Sequence, residues 1–198
     1  MKVSVLFSGG KDSSMAAILL EPFFEVELVT CNFSLLPTGE IAAEVASRLE
    51  LPHRIFNMDS GILESAYEMI MRDGFPKNAI NYIHQKAIES LALEDGMKFI
   101  ADGTRRDDRV PVLTASQIQS IEDRFSVSYL CPLQGYGRNA VNQMVKNHLM
   151  IREALSDDIS KADYEAELRE LIKLRHGVDS IEKLFPPHVQ SKVIERIK

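Results

Sequence analysis

The chain carries no net positive charge: its formal charge is −6 over 198 residues. Such a balance offers no global attraction to a polyanion, so nucleic-acid binding would need a local basic surface or a partner. Cysteine is scarce, with only Cys31 and Cys131 and no Cys-x-x-Cys pair. That excludes a disulfide framework and points to a reducing compartment. The five histidines (His53, His84, His148, His176, His188) show no ligand spacing, so neither a zinc site nor an iron–sulfur cluster is expected. His84 and His148 fall in helical patterns and read as core-edge or surface residues. No apolar run reaches membrane-spanning length, and the N-terminus lacks a signal-peptide pattern, so the expectation is a cytoplasmic protein without membrane contact. Repeats and low-complexity linkers are absent. What remains is 45% hydrophobic, enough for one α/β domain with a full core and a small appendage.

The most informative segment is Leu6-Phe7-Ser8-Gly9-Gly10-Lys11-Asp12-Ser13-Ser14. A short apolar, β-branched run from Lys2 to Phe7 precedes it, and the helix formers Met15 to Leu20 follow. The segment therefore sits on a strand–Gly loop–helix junction, where backbone N–H groups point outward and the helix dipole favours an anion. Gly9 and Gly10 leave the loop without side-chain bulk, so phosphate oxygens can approach the main chain. Ser8, Ser13 and Ser14 add hydroxyls, and Lys11 adds a point charge. Neither G-x-x-x-x-G-K-[ST] nor G-x-G-x-x-G spacing is present. A βα turn with no ligand is the plain alternative.

Further along, Phe24 to Phe33 reads as a second strand and Ile41 to Leu49 as a helix. His53 to Met58 reads as a third strand. Two helical patterns follow, Ile62 to Ile70 and Ile80 to Leu91, divided by Gly74-Phe75-Pro76. Lys98 to Ala101 is a fourth strand, Thr114 to Gln117 has capping-box spacing, and Ser126 to Leu130 is a fifth strand. Ala140 to His148 is helical. Strands alternating with helices give a doubly wound, mostly parallel sheet with helices on both faces. The division expected is 1–155 for this domain and 156–198 for a C-terminal helical extension. In the extension, Tyr164 to Leu174 forms an amphipathic helix. A last helix is expected from Phe185-Pro186-Pro187-His188 through Val193, Ile194 and Ile197. Eight Lys/Arg against seven Asp/Glu from Lys161 to Lys198 make it no basic arm. Capping the sheet, homodimerising and meeting a partner are all open to it, and packing on its own domain is the simplest.

Ser-Gly-Gly-Lys-Asp-Ser, placed after the first strand, resembles the signature of the PP-loop ATP pyrophosphatases, the adenine nucleotide α-hydrolase-like superfamily. The resemblance covers roughly residues 1–150. It implies strand order 3-2-1-4-5, with a ligand crevice between strands 1 and 4. It also implies ATP and Mg²⁺ as ligands, with cleavage between the α- and β-phosphates. Adenine would lie against Leu6, Phe7 and the Thr30-Cys31-Asn32-Phe33 segment, its edge read by main-chain groups. Asp12 would sit near the metal and triphosphate, beside Lys11.

The crevice draws attention to Asp102-Gly103-Thr104-Arg105-Arg106-Asp107-Asp108-Arg109, after the fourth strand. Gly103 leaves room for a nucleotide, Thr104 can donate to a ribose or phosphate oxygen, and Asp107 or Asp108 could hold Mg²⁺. The arginines could neutralise phosphate or pair within the loop. Cys31 and Cys131 end strands 2 and 5, roughly 14 Å apart at three strand spacings, beyond disulfide reach. Sulfur-transferring members of the superfamily use cysteine pairs over the ATP site. Each cysteine also reads as a small buried apolar residue; of the two, Cys131 is the better catalytic candidate because it leads into Pro132 to Arg138 at the crevice rim.

No triad or carboxylate pair is evident, as fits chemistry that depends on position and charge neutralisation. The leading expectation is an AMP-forming enzyme of tRNA modification, in particular uridine 2-thiolation. The chain resembles stand-alone archaeal-type predicted subunits of tRNA 2-thiouridylate enzymes, so a partner subunit could hold the tRNA. The opening residues also resemble diphthine–ammonia ligases, which makes carbon–nitrogen ligation of the GMP- or NAD-synthesis type an alternative. A non-catalytic ATP-binding regulatory subunit is a third.

Overall fold

The apolar run that opens the chain forms β1 (Lys2–Leu6), buried over its last four residues. The computed structural model describes residues 1–156, 159, 162–185 and 188–197. Helix α1 (Lys11–Leu20) and strand β2 (Glu25–Asn32) follow, then α2 (Thr38–Leu49), β3 (His53–Asn57), α3 (Ser60–Asp73) and α4 (Lys77–Ala92). After β4 (Phe99–Ala101) come α5 (Ala115–Phe125), β5 (Ser128–Leu130), α6 (Arg138–His148) and β6 (Leu149–Leu155). The chain closes with α7 (Tyr164–His176), α8 (Asp179–Leu184) and β7 (Val189–Arg196).

β1 to β5 form one parallel sheet in the order β3-β2-β1-β4-β5. The order reverses between β1 and β4, so the helices that follow them, α1 and α5, pack on opposite faces of the sheet. Alternation along β1 sends Val3 and Val5 into the core shared with α1, α2 and α6, and Leu6 into the core shared with α3, α4, α5 and α7. Local chemistry sets the helix ends. The Asp59 side chain accepts from the Gly61 amide at 2.6 Å, and Thr114 and Gln117 form a reciprocal capping box. The break between α3 and α4 falls at Gly74, in the left-handed region, and at Pro76.

One expectation fails at the C-terminal end, and one strand goes unforeseen. Val193 and Ile194 lie in β7 rather than in a last helix, while Pro186 and Pro187 lie outside the described residues. Residues Leu149–Leu155, with no strand assigned to them from sequence, form β6, and the two pair antiparallel into a second, two-stranded sheet. Apolar residues at 193, 194 and 197 fit a helical period, but β-branched side chains suit a strand once a partner exists. A register shift between Met150 and Ile151 accommodates the adjacent pair Val193-Ile194. Val193 and Leu149 enter the core of α1, α2 and α6, so this sheet is seated on the same side as α1.

Candidate functional site

The Ser8–Ser14 loop turns from β1 into α1 with Gly9 at φ +74°, in the region that favours glycine. Gly10 is the helix N-cap and supplies no side-chain cap, so the first amides of α1 are left for other acceptors. The serines brace the turn: Ser14 Oγ donates to the Gly10 carbonyl at 2.8 Å, and Ser13 Oγ does so at 3.2 Å. Ser8 Oγ lies 3.4 Å from Ser13 Oγ.

Gly103 presses on this turn from the second loop. A Cβ there would lie 2.6 Å from the Asp12 carbonyl carbon and the Ser13 nitrogen. Asp102, 3% exposed, fixes Gly103 in place. Its Oδ1 accepts from the Thr104 amide at 2.9 Å, and its Oδ2 from Thr104 Oγ1 at 2.8 Å. His84 Nε2, at 2.8 Å, and the Tyr129 hydroxyl also bond Oδ2. Burial pushes the Asp102 carboxyl up, but the bonds from His84, Tyr129 and Thr104 outweigh it and hold it below its ordinary value.

Arg105, also buried, stands among three carboxylates, Asp12, Asp107 and Asp108. It bonds Asp108 through both its backbone amide (2.8 Å) and its guanidinium, and its Nη1 is 3.6 Å from Asp12 Oδ2. Asp12 Oδ1 is buried with no hydrogen-bond partner. Burial pushes the Asp12 carboxyl up, opposed chiefly by Arg105. Asp107 Oδ1 is 3.8 Å from Arg105 Nε, and its Oδ2 accepts the Arg138 amide at 2.9 Å.

A cavity of about 420 Å³ opens over this loop. Ser8 to Ser13 form one wall, with Arg105 beside them; Arg138 and Asn142 of α6 form another. The second sheet closes it with Glu153, Gln190, Ser191 and Lys192. Lys11 Nζ lies 2.8 Å from Glu153, its amide donates to Ser191 Oγ at 3.2 Å, and the Val193 amide donates to the Gly9 carbonyl at 3.1 Å.

The expected site residues therefore divide. Ser8, Gly9, Gly10, Lys11, Asp12 and Ser13 face the cavity together. Ser14 is fully buried and turned onto Gly10. The side chains of Leu6, Phe7 and Cys31 belong to the two cores. Asn32 is buried with Oδ1 lacking a partner, and the Phe33 amide donates to Glu167 of α7 at 2.9 Å. Glu167 also accepts from the Leu35 amide, fixing the turn in which Ser34 takes φ +61°. Gly103 and Thr104 shape the turn rather than line the cavity, and Asp108 is held by Arg105. Cys131 joins the Asp102–Tyr129 cluster. Burial pushes both the Cys31 and the Cys131 thiols up to about 12. Sequence reasoning missed Asn142, Glu153, Gln190, Ser191 and Lys192, since nothing local distinguishes them from surface residues.

No described helix is long and apolar enough to cross a membrane. Among the described residues no group of three or more His, Cys, Asp or Glu could hold a metal ion.

Sheet order and loop define a class: a parallel α/β domain with a strand–Gly loop–helix turn beside its switch point. The chain belongs to a family of unknown function (DUF7411), whose model matches residues 1–195. It is 41% identical over 195 residues to the uncharacterized protein MJ0690 of Methanocaldococcus jannaschii, covering 98% of this chain and 96% of that one. A solved structure from that organism, described as a predicted subunit of tRNA methyltransferase, superimposes with TM-score 0.90 at 40% identity. It covers 100% of this chain and 99% of its own. The tRNA-specific 2-thiouridylase MnmA of Syntrophomonas wolfei subsp. wolfei is 24% identical over 217 positions, covering 95% of this chain and 64% of that enzyme.

Proposed function

We propose that the chain binds ATP over the Ser8–Ser14 loop and cleaves it to AMP and pyrophosphate, adenylating a substrate in tRNA modification. The observation that carries this reading is the cavity itself, floored by the N-terminus of α1 and bordered by Lys11, Arg105, Arg138 and Lys192. Four cations against three carboxylates (Asp12, Glu153 and Asp163), together with a helix N-terminus, suit a polyphosphate better than a neutral ligand. The names of two relatives, a predicted tRNA methyltransferase subunit and a tRNA 2-thiouridylase, support tRNA as the acceptor.

In this reaction an acceptor oxygen attacks the α-phosphorus. The new oxygen–phosphorus bond forms as the bond to the bridging oxygen breaks, and pyrophosphate departs with that electron pair. A nucleophile then attacks the activated carbon and AMP leaves. Lys11, Arg138 and Lys192 stabilise the charge that gathers on the leaving pyrophosphate. Asp12 Oδ1, buried and without a partner, fits a single carboxylate ligand for Mg²⁺, whereas Asp108 is engaged by Arg105. When bound, that ion neutralises phosphate charge.

The state of the cysteines favours a nucleophile delivered from outside the chain. Both thiols are held protonated near neutral pH, and neither lines the cavity. A sulfur-carrying role for Cys131 therefore requires the Asp102–Tyr129 cluster to open on substrate binding. The same observation keeps ammonia or an amine as the second reading, that of a carbon–nitrogen ligase.

The test is the fate of ATP labelled at its α-phosphate, incubated with protein, Mg²⁺ and unmodified tRNA, with a control lacking RNA. Labelled AMP that depends on the tRNA is expected. AMP formed equally without tRNA would move the acceptor to a small molecule, and labelled ADP would overturn the proposal.

A further inference from the structure

The donors that an anion-binding turn offers are its backbone amides and its lysine. In this chain both donors of Lys11 are already engaged, and by one device. Glu153 of β6 and Ser191 of β7 are directly opposed partners in the second sheet. Glu153 takes the Lys11 ammonium at 2.8 Å, and Ser191 Oγ accepts the Lys11 amide at 3.2 Å. A carboxylate and a hydroxyl oxygen thus sit against the groups that phosphate oxygens would use.

The second sheet is held unevenly. At one end Arg196 grips Glu21 at 2.6 and 3.0 Å and donates to the Leu49 carbonyl, while Leu149 and Val193 are buried. At the other end, over the cavity, Leu155 and Val189 are exposed and the hold is polar: the Ser156 amide donates to the His188 carbonyl at 2.9 Å, Gln190 Nε2 donates to Asp163 at 3.5 Å, and His188 Nε2 is 3.8 Å from Glu165. Lys11 is therefore met by the stretch of the sheet beyond the Val193 anchor, where the partners are polar. A polyphosphate approaching Lys11 also meets the Glu153 carboxylate, and like charges at that distance repel.

We infer that the β6–β7 sheet is a latch on the nucleotide loop, with Glu153 and Ser191 competing with phosphate for Lys11, so that nucleotide binding and release of Lys11 from the sheet are coupled. The inference rests on the reading of this loop as an ATP site. Coupling follows from the geometry because a phosphate brought to Lys11 is repelled by the Glu153 carboxylate already there and finds the single amide donor taken by Ser191.

The test uses the full chain and two readouts. Calorimetric titration with Mg²⁺ and α,β-methylene-ATP should give Glu153→Gln an affinity at least about five-fold higher than the parent, the lower end of ordinary coupling between sites. Glutamine keeps the size and removes the charge, so folding is spared. Without nucleotide, mass spectrometry should find Lys11 acetylated faster by an amine-directed reagent in Glu153→Gln than in the parent. Equal or weaker nucleotide binding by Glu153→Gln, with unchanged Lys11 reactivity, overturns the latch and leaves the ATP reading standing. If neither protein binds the nucleotide but Lys11 still becomes more reactive, the ATP reading fails. Inorganic pyrophosphate then decides the latch: tighter binding to Glu153→Gln upholds it, and equal binding overturns it.

Discussion

Glu153 and Ser191 stand opposite each other in the second sheet, and both close on Lys11, 142 and 180 residues away in sequence respectively. The loop that looks from sequence like an isolated anion turn is therefore half of a composite site. Its other half comes from the far end of the chain, carried back across α2 and α1 by β7. The Lys11–Glu153 pair is more consequential than most exposed ion pairs, because the lysine side chain is only 12% exposed.

Gly103→Ala should be among the most damaging small substitutions. The added methyl would meet backbone atoms of Asp12 and Ser13 at 2.6 Å, and neither can rotate away. Overpacking of this kind costs about 1–3 kcal/mol. Urea denaturation should show the loss, and nucleotide affinity should fall further than stability alone explains.

Asp12→Asn should leave the fold intact while abolishing ATP turnover. Burial raises the native Asp12 carboxyl above its unfolded value. Its contribution to stability is therefore fully present below the ordinary carboxylate range and is lost as pH rises through the raised native value. Asparagine carries no such penalty, so the variant should gain stability relative to the parent between acid and neutral pH. Thermal unfolding at a series of pH values checks the sign, and normal turnover would remove Asp12 from the triphosphate site.

Tyr129→Phe removes one of the donors that hold the Asp102 carboxyl below its ordinary value. That stabilisation is present above the unfolded value and disappears as pH falls through the depressed native one. The acid-unfolding midpoint, followed by circular dichroism, should move to higher pH. At neutral pH the loss should be about 1–3 kcal/mol, the cost of leaving a buried polar group short of a partner. An unchanged acid midpoint would mean that His84 and Thr104 alone suffice.

Glu167→Ala should loosen the segment after β2 without touching the cavity wall. It strips the acceptor from the Phe33 and Leu35 amides, and the site is buried. A loss on the order of 3 kcal/mol is expected, with Glu167→Gln well short of that because its amide oxygen can still accept. Hydrogen exchange at Phe33 and Leu35 should accelerate in the alanine variant first.

The sequence by itself determined the sheet and the loop. Alternating apolar strands, helix caps such as Asp59 and Thr114, and the Gly9-Gly10 turn are encoded within a few residues of where they act. Strand period, capping chemistry and backbone freedom are local properties, so the five strands and the turn at Ser8–Ser14 were legible in advance, whereas the order that sets this turn beside β4 was implied only by the family resemblance. Tertiary structure alone decided what stands around that loop. The Val193-Ile194 segment fits a helix or a strand until β6 offers its edge, and pairing across forty residues settles the choice. Which carboxylate meets Lys11, which amides Glu167 takes, and whether Cys131 faces a cavity or Asp102 depend on contacts between distant segments. Those contacts form because the buried groups of one element need partners that only another can supply, and no spacing in the chain records them.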